Sequence, residues 1–592
     1  MRLATIRRND IINSIIRRTC RERLIMEIND IYKVRHSAAH LLAQAVTELF
    51  PGTLTTIGPV TEEGFFYDFL PPEGKSFKNE DLPVIEAKMR EIIQRKLPIE
   101  QKDISKEEAK KIFKENPYKI ELINEIPDET VGLTTQGEFS DLCKGGHVAN
   151  TSEIKNFKLL NISGSYWKAN REGQALQRIS GIAFPTKKEL EDYERQKEEA
   201  AQYDHRKLGR ELDLFSLQEE GIGFPFFHPK GKQILLAMSN YIRKELEKED
   251  YQEIQTPIIL SEHLWHESGH YDHYKPNMYF LKIDEQDYAV KPMNCPGSIL
   301  IYKSRPRSYR DLPLRLSEFG LVHRHELSGV LHGLFRVRAF TQDDAHVYCT
   351  TDQIEPEILK IIQFVQRTYK HFGFENVQFV LATKAEDAMG DAKSWEKATN
   401  ALKNALTTAH IPYKIDEGGG AFYGPKIDIH IKDSMGRSWQ LGTIQVDFFM
   451  PKNFDISYIN NQGQKEQPIM IHRAIYGSFE RFLGILLEHY KGKLPFWLAP
   501  IQIKVLTISD DQLSYAQAIV DKLKEENLRV ELCESSDPLQ AKIKDAQLEQ
   551  IPWMLVIGKK EVENGTITLR HRDGKQEFGL TLDQLIQKSK TA

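Results

Sequence analysis

The segment Lys187–Leu212, KKELEDYERQKEEAAQYDHRKLGREL, has too few apolar residues to form a core-facing stripe, so it reads as a solvated linking helix. No single hydrophobic core can run through such a segment. At 592 residues the chain also exceeds what one core usually supports. Several domains follow, most of them large enough to fold without covalent staples. Upstream, helical patterns (HSAAHLLAQAVTELF, EAKMREIIQRKL) mix with strand-like pieces (GFFYDF, SGSYW), an α+β module that ends near Asp204. Between about Asp204 and Pro500, helices such as KQILLAMSNYIRKELEKE alternate with β-branched and aromatic strands joined by short-range turns. This pattern predicts an antiparallel sheet flanked by helices. After KLPFWLAP, the strings IQIKVLTI, AQAIVDKLKEE, LRVELC, QLEQIPWMLVIG and TITLRHR predict a small separate α/β domain. The fold class is therefore multidomain α+β, with expected boundaries at 1–32, 33–185, 186–206, 207–498 and 499–592.

Five scattered cysteines, Cys20, Cys143, Cys295, Cys349 and Cys533, suit a reducing compartment better than a disulfide framework. A formal net charge of -5 excludes a globally basic nucleic-acid binder and leaves room for a local basic groove. No apolar run reaches the length of a membrane span. The first residues carry Arg2, Arg7, Arg8, Arg17, Arg18, Arg21 and Arg23 against only Asp10 and Glu22. That composition admits an organellar transit peptide or a basic helix of a cytoplasmic protein, and the cytoplasm is the expectation.

No phosphate-binding loop of the G-x-x-x-x-G-K-[ST] type is present; Gly419 through Gly424 is followed by Pro425 and then Lys426, so proline stands where the lysine must be. HESGH, His266 to His270, is one residue too long for an HxGH nucleotide-site signature and no KMSKS follows, so it is set aside. The stretch VHRHELSGVLHGLFRVRAFTQDDAH, Val322 to His346, is more telling. At a two-residue period, Arg336, Arg338, Phe340, Gln342, Asp344 and His346 share one face. Arg324 and Glu326 share a preceding strand face, a loop with Gly329 and Gly333 intervenes, and Arg336 returns on the second strand. Two such arginines can clamp a triphosphate. Downstream, HRAIYGSFERFLGILLEHY passes from strand to helix with Ser478, Glu480 and Arg481 near the helix start, where anions are favoured. These residues read equally as an anion site or as solvated charge.

Taken in order, YQEIQTPIIL with Pro257, KPMNCPG, HRHE, FRVR, FTQDDAH, AFYGPKID, WQLGTIQVDF and HRAIYGSFER resemble the class II aminoacyl-tRNA synthetases, and within them the threonyl-tRNA synthetase family. The resemblance covers nearly everything from Val34 onward. It implies an editing domain over 33–185, a class II catalytic domain over 207–498 and an anticodon-binding domain over 499–592. By the resemblance, Arg324, Arg336 and Arg481 are catalytic and bind ATP with Glu326 and Gln440. Met293, Gln342, Asp344, Tyr423, Lys426 and Gln440 hold the substrate. The implied reaction joins L-threonine to tRNA(Thr) through threonyl-adenylate, with Mg2+ accompanying ATP.

The resemblance further assigns one Zn2+ per subunit to Cys295, His346 and His472, a set that no spacing rule would flag. Three such ligands leave a tetrahedral position open. His36, His40, Cys143 and His147, with Lys119 and Asp141, resemble the site that hydrolyses mischarged seryl-tRNA. Read from residue types alone, the first four equally allow a zinc site; HxxxH without an internal glutamate does not suit a zinc protease. The family's N-terminal ubiquitin-like domain is not recognisable in the opening residues. Glu561 and Arg570 fall at the implied anticodon-binding positions, with exposed strand charge as the competing reading of Arg570 and Arg572. Pro257 lies in the segment that implies a homodimer. An alternative from another class of function is a synthetase-like regulatory RNA-binding protein without catalysis.

Overall fold

The computed structural model describes residues 30–61, 64–170, 173–385, 388–433 and 437–592. The arginine-rich opening and Cys20 lie outside the described residues. The chain divides into two compact units, Met1–Lys197 and Glu198–Ala592. Their boundary falls inside the helix Lys187–Gln202 rather than at Asp204. That helix buries none of its residues, as its charge pattern predicts, but the rest of the charged segment departs from the expectation: it forms a second helix, His205–Glu211, that buries His205, Leu208 and Gly209.

In the first unit a helix over 30–49 buries Ala38, Ala39, Leu41, Leu42, Ala45 and Val46. These share a core with Phe65 and Phe69, which alternate inward on the strand Phe65–Leu70, and with Met89 of the helix Leu82–Gln94. The first of two sheets runs in the order Leu54–Thr55, Phe65–Leu70, Ala175–Phe184, Asn156–Tyr166. The second comprises Ile99–Ser105, Thr130–Gln136 and Phe139–Leu142.

The second unit is organised on an eight-stranded sheet. Its order is Gln252–Glu253, Leu314–His323, Ala339–Cys349, Ile469–Ala474, Ser438–Asp447, Lys426–Lys432, Gln378–Ala382 and Tyr413–Asp416. The interior pairs are antiparallel, as the turn pattern predicts, and the outermost pair at each edge is parallel. Apolar faces of the helices Pro229–Lys248, Ile354–His371, Ala392–Thr408 and Phe479–His489 share one core with the sheet. The C-terminal segment forms its own five-stranded sheet, Val530–Cys533, Ile503–Thr507, Trp553–Ile557, Ile567–His571 and Gln576–Leu580, over a separate apolar core.

The arms around the central loop differ from the two-strand expectation. The strand Leu314–His323 ends before Arg324 and Glu326, and Ala339–Cys349 begins after Arg336 and Arg338. All four charged residues therefore sit on irregular backbone at the strand ends, where the ladder closes with the pair His323 and Ala339.

Candidate functional site

The strand Ala339–Cys349 forms the floor of a deep cavity, through Phe340, Gln342 and Asp344. Alternation points Gln342, Asp344 and His346 to the site face and sends Asp343 to the opposite one. There the Asp343 carboxylate accepts the N–H groups of Ile475 (2.8 Å), Tyr476 (3.0 Å) and Gly477 (3.1 Å), pinning the turn between strand Ile469–Ala474 and helix Phe479–His489. Burial pushes its pKa up to about 6, against the pull of the neighbouring Arg473. Gly477 has φ +77°, and a Cβ there would lie 2.1 Å from the Leu441 carbonyl oxygen, so the turn requires glycine. Ser478 then caps the helix by accepting the Arg481 N–H at 3.1 Å.

This geometry aims Arg481 at the cavity. Its Nε donates to the Phe335 carbonyl and its Nη1 to the Gln440 carbonyl, each at 2.8 Å. Burial, together with the nearby charges of Arg324 and Arg336, lowers its pKa to about 10. Arg324 donates to the Pro292 carbonyl at 3.2 Å and lies over the Phe340 ring at 5.0 Å. Arg336 pairs with Glu326 at 3.1 Å, so two residues expected to meet the nucleotide hold each other. Arg338 turns away to the carbonyls of Glu326 and Ile222, which removes it from the face it was expected to share.

The cavity measures about 410 Å³. Met293, Cys295, Arg324, Glu326, Arg336, Gln342, Asp344, Tyr423, Lys426, Gln440, His472 and Arg481 all line it. Lys426 is paired with Asp428 at 2.7 Å, and Gln440 Nε2 donates to the other oxygen of that carboxylate at 2.6 Å. The glycine-rich stretch before Lys426 supplies Ala421, Phe422 and Tyr423 to one wall.

Cys295, His346 and His472 are buried, and their ligand atoms lie within 4.8 Å of one another. Cys295 opens the helix Cys295–Lys303, while His346 and His472 are register partners on adjacent strands. His346 Nε2 is buried without a hydrogen-bond partner. His472 Nε2 lies 3.0 Å from Asp447 Oδ2, an outer carboxylate that leaves the other ring nitrogen available as a ligand. Burial pushes the Cys295 thiol well above its ordinary range and the His346 imidazole well below. Neutral imidazole is already the metal-binding form, and a cation would draw the thiol to thiolate. The donor set fits a zinc ion.

Several participants carry no sequence signal of their own. Asn294 Nδ2 donates to Asp344 Oδ2 at 3.2 Å, and burial raises the Asp344 pKa. His270, from the HESGH string that was set aside, is buried with its Nε2 3.9 Å from Cys295 Sγ. Asp447 and Arg473 are likewise legible only once strand register is known.

In the first unit, His36, His40, Cys143 and His147 also place their ligand atoms within 4.8 Å of one another. His36 and His40 share a helical face, but Cys143 and His147 do not. Their segment is an irregular loop turned by Gly145 (φ +99°) and Gly146 (φ +90°), which brings His147 Nε2 to 3.0 Å from Cys143 Sγ. Beneath them Asp141 is buried and paired with Lys119; it accepts the Tyr67 hydroxyl at 2.5 Å and lies 3.2 Å from His40 Nδ1. Burial opposes the charge on His40, yet contacts with Asp141 and Cys143 outweigh it and raise its pKa to about 9. Burial likewise opposes the Cys143 thiolate, but His147, His36 and His40 bring its pKa down to about 3. These contacts favour a thiolate at Cys143 and an imidazolium at His40, above the buried Lys119 and Asp141.

At the C-terminal sheet, Glu561 is spent locally on the Gly558 N–H (3.0 Å) and the Thr568 hydroxyl (2.8 Å). Arg570 is partly buried with Nε lacking a partner. Arg572 is no exposed strand charge; it donates to the carbonyls of Lys493, Leu494 and Gln550.

Residues 279–490 match the tRNA synthetase class II core domain (G, H, P, S and T), residues 500–591 an anticodon binding domain, and residues 131–180 the threonyl and alanyl tRNA synthetase second additional domain. A threonine–tRNA ligase of Carboxydothermus hydrogenoformans is 53% identical over 559 residues, spanning 93% of this chain and 88% of that protein. One of Caldanaerobacter subterraneus subsp. tengcongensis is 54% identical over 556 residues, spanning 93% and 86%. Among solved structures, the RNA binding domain of threonyl-tRNA synthetase from Cryptosporidium parvum Iowa II superposes with a TM-score of 0.64 at 43% identity, covering 66% of this chain and 98% of that one.

Proposed function

The chain belongs to the threonyl-tRNA synthetase family, and from that premise we propose how its residues divide the work of a threonine–tRNA ligase. The enzyme is an aminoacyl-tRNA ligase: it activates L-threonine with ATP and transfers the product to tRNA(Thr). Its second additional domain is consistent with editing. One observation carries the assignment of residues: the buried Cys295, His346 and His472 set adjoins a cavity lined also by Arg324, Arg336, Arg481 and Asp344.

Threonine enters with its side chain toward Asp344, which accepts a hydrogen bond from the hydroxyl, while Met293, Gln342, Tyr423, Lys426 and Gln440 shape the pocket around it. Cys295, His346 and His472 would hold zinc, which when bound supplies a Lewis-acidic contact for the amino and hydroxyl groups of threonine. Valine carries a methyl where that hydroxyl belongs and gives Asp344 no donor beyond Asn294, the kind of mismatch a polar site rejects strongly. ATP displaces the Arg336 and Glu326 pairing, placing Glu326 on adenine and Arg336 on phosphate. The threonine carboxylate oxygen attacks the α-phosphorus and pyrophosphate leaves with Mg2+. Arg324, Arg336 and Arg481 offset the charge that grows on the phosphoryl oxygens.

Serine keeps the hydroxyl and lacks one methyl, a difference of only about 1–3 kcal/mol. Correction falls to the first unit, where His36, His40, Cys143 and His147 orient water against a seryl ester without a metal, Asp141 and Cys143 favour the charged form of His40, and Lys119 holds Asp141 in place. The domains run 33–185 for editing, 207–498 for catalysis and 499–592 for the anticodon, with Arg570 facing tRNA in the last and Glu561 bracing that segment through Gly558 and Thr568. Exposed Ile258 and Ile259 beside Pro257 support a homodimer through that segment. Among the described residues no helix is long and apolar enough to cross a membrane. Cys143, Cys295, Cys349 and Cys533 are free thiols, in keeping with a cytoplasmic place of work.

The deciding test is ATP–pyrophosphate exchange with threonine, serine, valine and proline. Strong exchange with threonine, weaker with serine and negligible with valine is expected. No exchange with any of them in folded, zinc-loaded protein would return the non-catalytic RNA-binding reading.

A further inference from the structure

His205 begins the short helix His205–Glu211 and is fully buried, in none of the sites described above. Its Nδ1 lies 2.8 Å from Glu488 Oε1, near the C-terminal end of the helix whose first turn presents Arg481. Its Nε2 accepts the Leu334 N–H at 3.0 Å, in the turn that leads into Arg336. Only one protonation state meets both partners: a neutral ring with its proton on Nδ1, donating to the carboxylate and accepting at Nε2. The fit is close on every side. The His205 ring packs on Phe335 with centroids 4.1 Å apart. Gly333 has φ +49°, and a Cβ there would lie 2.1 Å from His205 Nε2.

The neighbouring contacts give this link a consequence for the cavity. Phe335, one residue beyond the held N–H, gives its carbonyl to Arg481 Nε, and its ring lies where a Cβ on Gly484 would be 2.8 Å away. The turn is thus held at two successive residues, by His205 at the Leu334 N–H and by Arg481 at the Phe335 carbonyl. Both holds trace to the same helix, one through Glu488 and one directly. Arg336 follows immediately.

We propose that His205 is a positioning residue for nucleotide binding: its imidazole ties the far end of the Phe479–His489 helix to the 333–336 turn and so sets the spacing of Arg481 and Arg336. This rests on the reading that both arginines meet ATP. A buried polar bridge of this kind confers geometric precision, and small misplacement of charged groups is costly in catalysis.

The test is threonine-dependent ATP–pyrophosphate exchange by the full chain carrying His205→Asn, which keeps a donor for Glu488 and removes the acceptor for Leu334. The expected result is a rise in the KM for ATP of roughly ten-fold, with the KM for threonine changed by less than about two-fold. Seryl-tRNA hydrolysis by the same preparation should be unchanged. Glu488→Gln, whose amide oxygen still accepts from Nδ1, should behave like the parent enzyme, and Glu488→Ala like H205N. An unchanged KM for ATP in H205N overturns the proposal, as does an equal rise for ATP and threonine, which marks a merely structural residue. If H205N does not fold, Glu488→Ala is judged by the same split. Failure of the parent enzyme to exchange at all sinks the ATP reading instead, so the two failures are distinguishable.

Discussion

His346 and His472 face each other as register partners on adjacent antiparallel strands, ring centroids 5.0 Å apart and planes 84° to one another. Each offers a ring nitrogen within 4.8 Å of the Cys295 donor, although the three residues are far apart in the chain. Replacing Cys295 by serine or His346 by alanine should abolish stoichiometric zinc, measured by elemental analysis of the purified protein. Threonine-dependent exchange should fall with it by about 100-fold or more, since outer-shell changes alone often cost 10–100-fold. Full zinc content in both variants would refute the ligand assignment.

Arg481 donates from two different nitrogens of its planar guanidinium to the carbonyls of Phe335 and Gln440, a spacing that the single nitrogen of lysine does not reproduce. Arg481→Lys should therefore lower kcat for exchange by about 100-fold, in the range seen when one preorganised charge donor is lost. Secondary structure by circular dichroism should match the parent. A change confined to KM for threonine would place Arg481 outside the phosphate site.

The Asp344 carboxylate is held by Asn294 and faces the metal-ligand set. Asp344→Asn should weaken threonine binding and erode the preference over valine. The measurement is the ratio of exchange efficiencies for the two amino acids, and a ratio equal to that of the parent enzyme would rule Asp344 out as a reader of the hydroxyl.

His40→Ala and Cys143→Ala should leave aminoacylation intact while abolishing seryl-tRNA hydrolysis; hydrolysis that survives both would sink the editing assignment. The same cluster predicts a pH signature. Cys143 is depressed to about 3 and His40 raised to about 9, so the ion pair spans the interval between these values. Alkylation of Cys143 by iodoacetamide should be nearly flat from about pH 5 to 8, whereas an ordinary thiol of pKa about 8.5 gains reactivity throughout that range. In the linkage sense, the raised His40 stabilises the fold fully below its unfolded value of about 6.5 and loses that contribution as pH rises through 9. His40→Ala should shift the thiol profile upward without making it ordinary, because His147 and His36 still contact the sulfur.

Local pattern alone determined much of this protein. Two-residue alternation placed Gln342, Asp344 and His346 on one face, and Ser478 marked the start of the helix that carries Arg481. The charged run after Lys187 announced an unburied helix as far as Gln202, because a segment without an apolar stripe has nothing to pack, but not the buried helix His205–Glu211 that follows. Resemblance across the ordered motifs identified the family. Tertiary structure alone decided the rest. The pairing of His346 with His472 depends on strand register, and the approach of Cys295 depends on how a helix start meets that sheet; neither distance is written in sequence spacing. Cys143 and His147 share a helical interval, yet a glycine-turned loop brings them together. His205 lies far in the chain from both Leu334 and Glu488, and its role emerges only where one buried ring must satisfy a donor and an acceptor from two different elements. Periodicity reports which way a side chain points within its own element, whereas a site is made of distances between elements, and packing sets those.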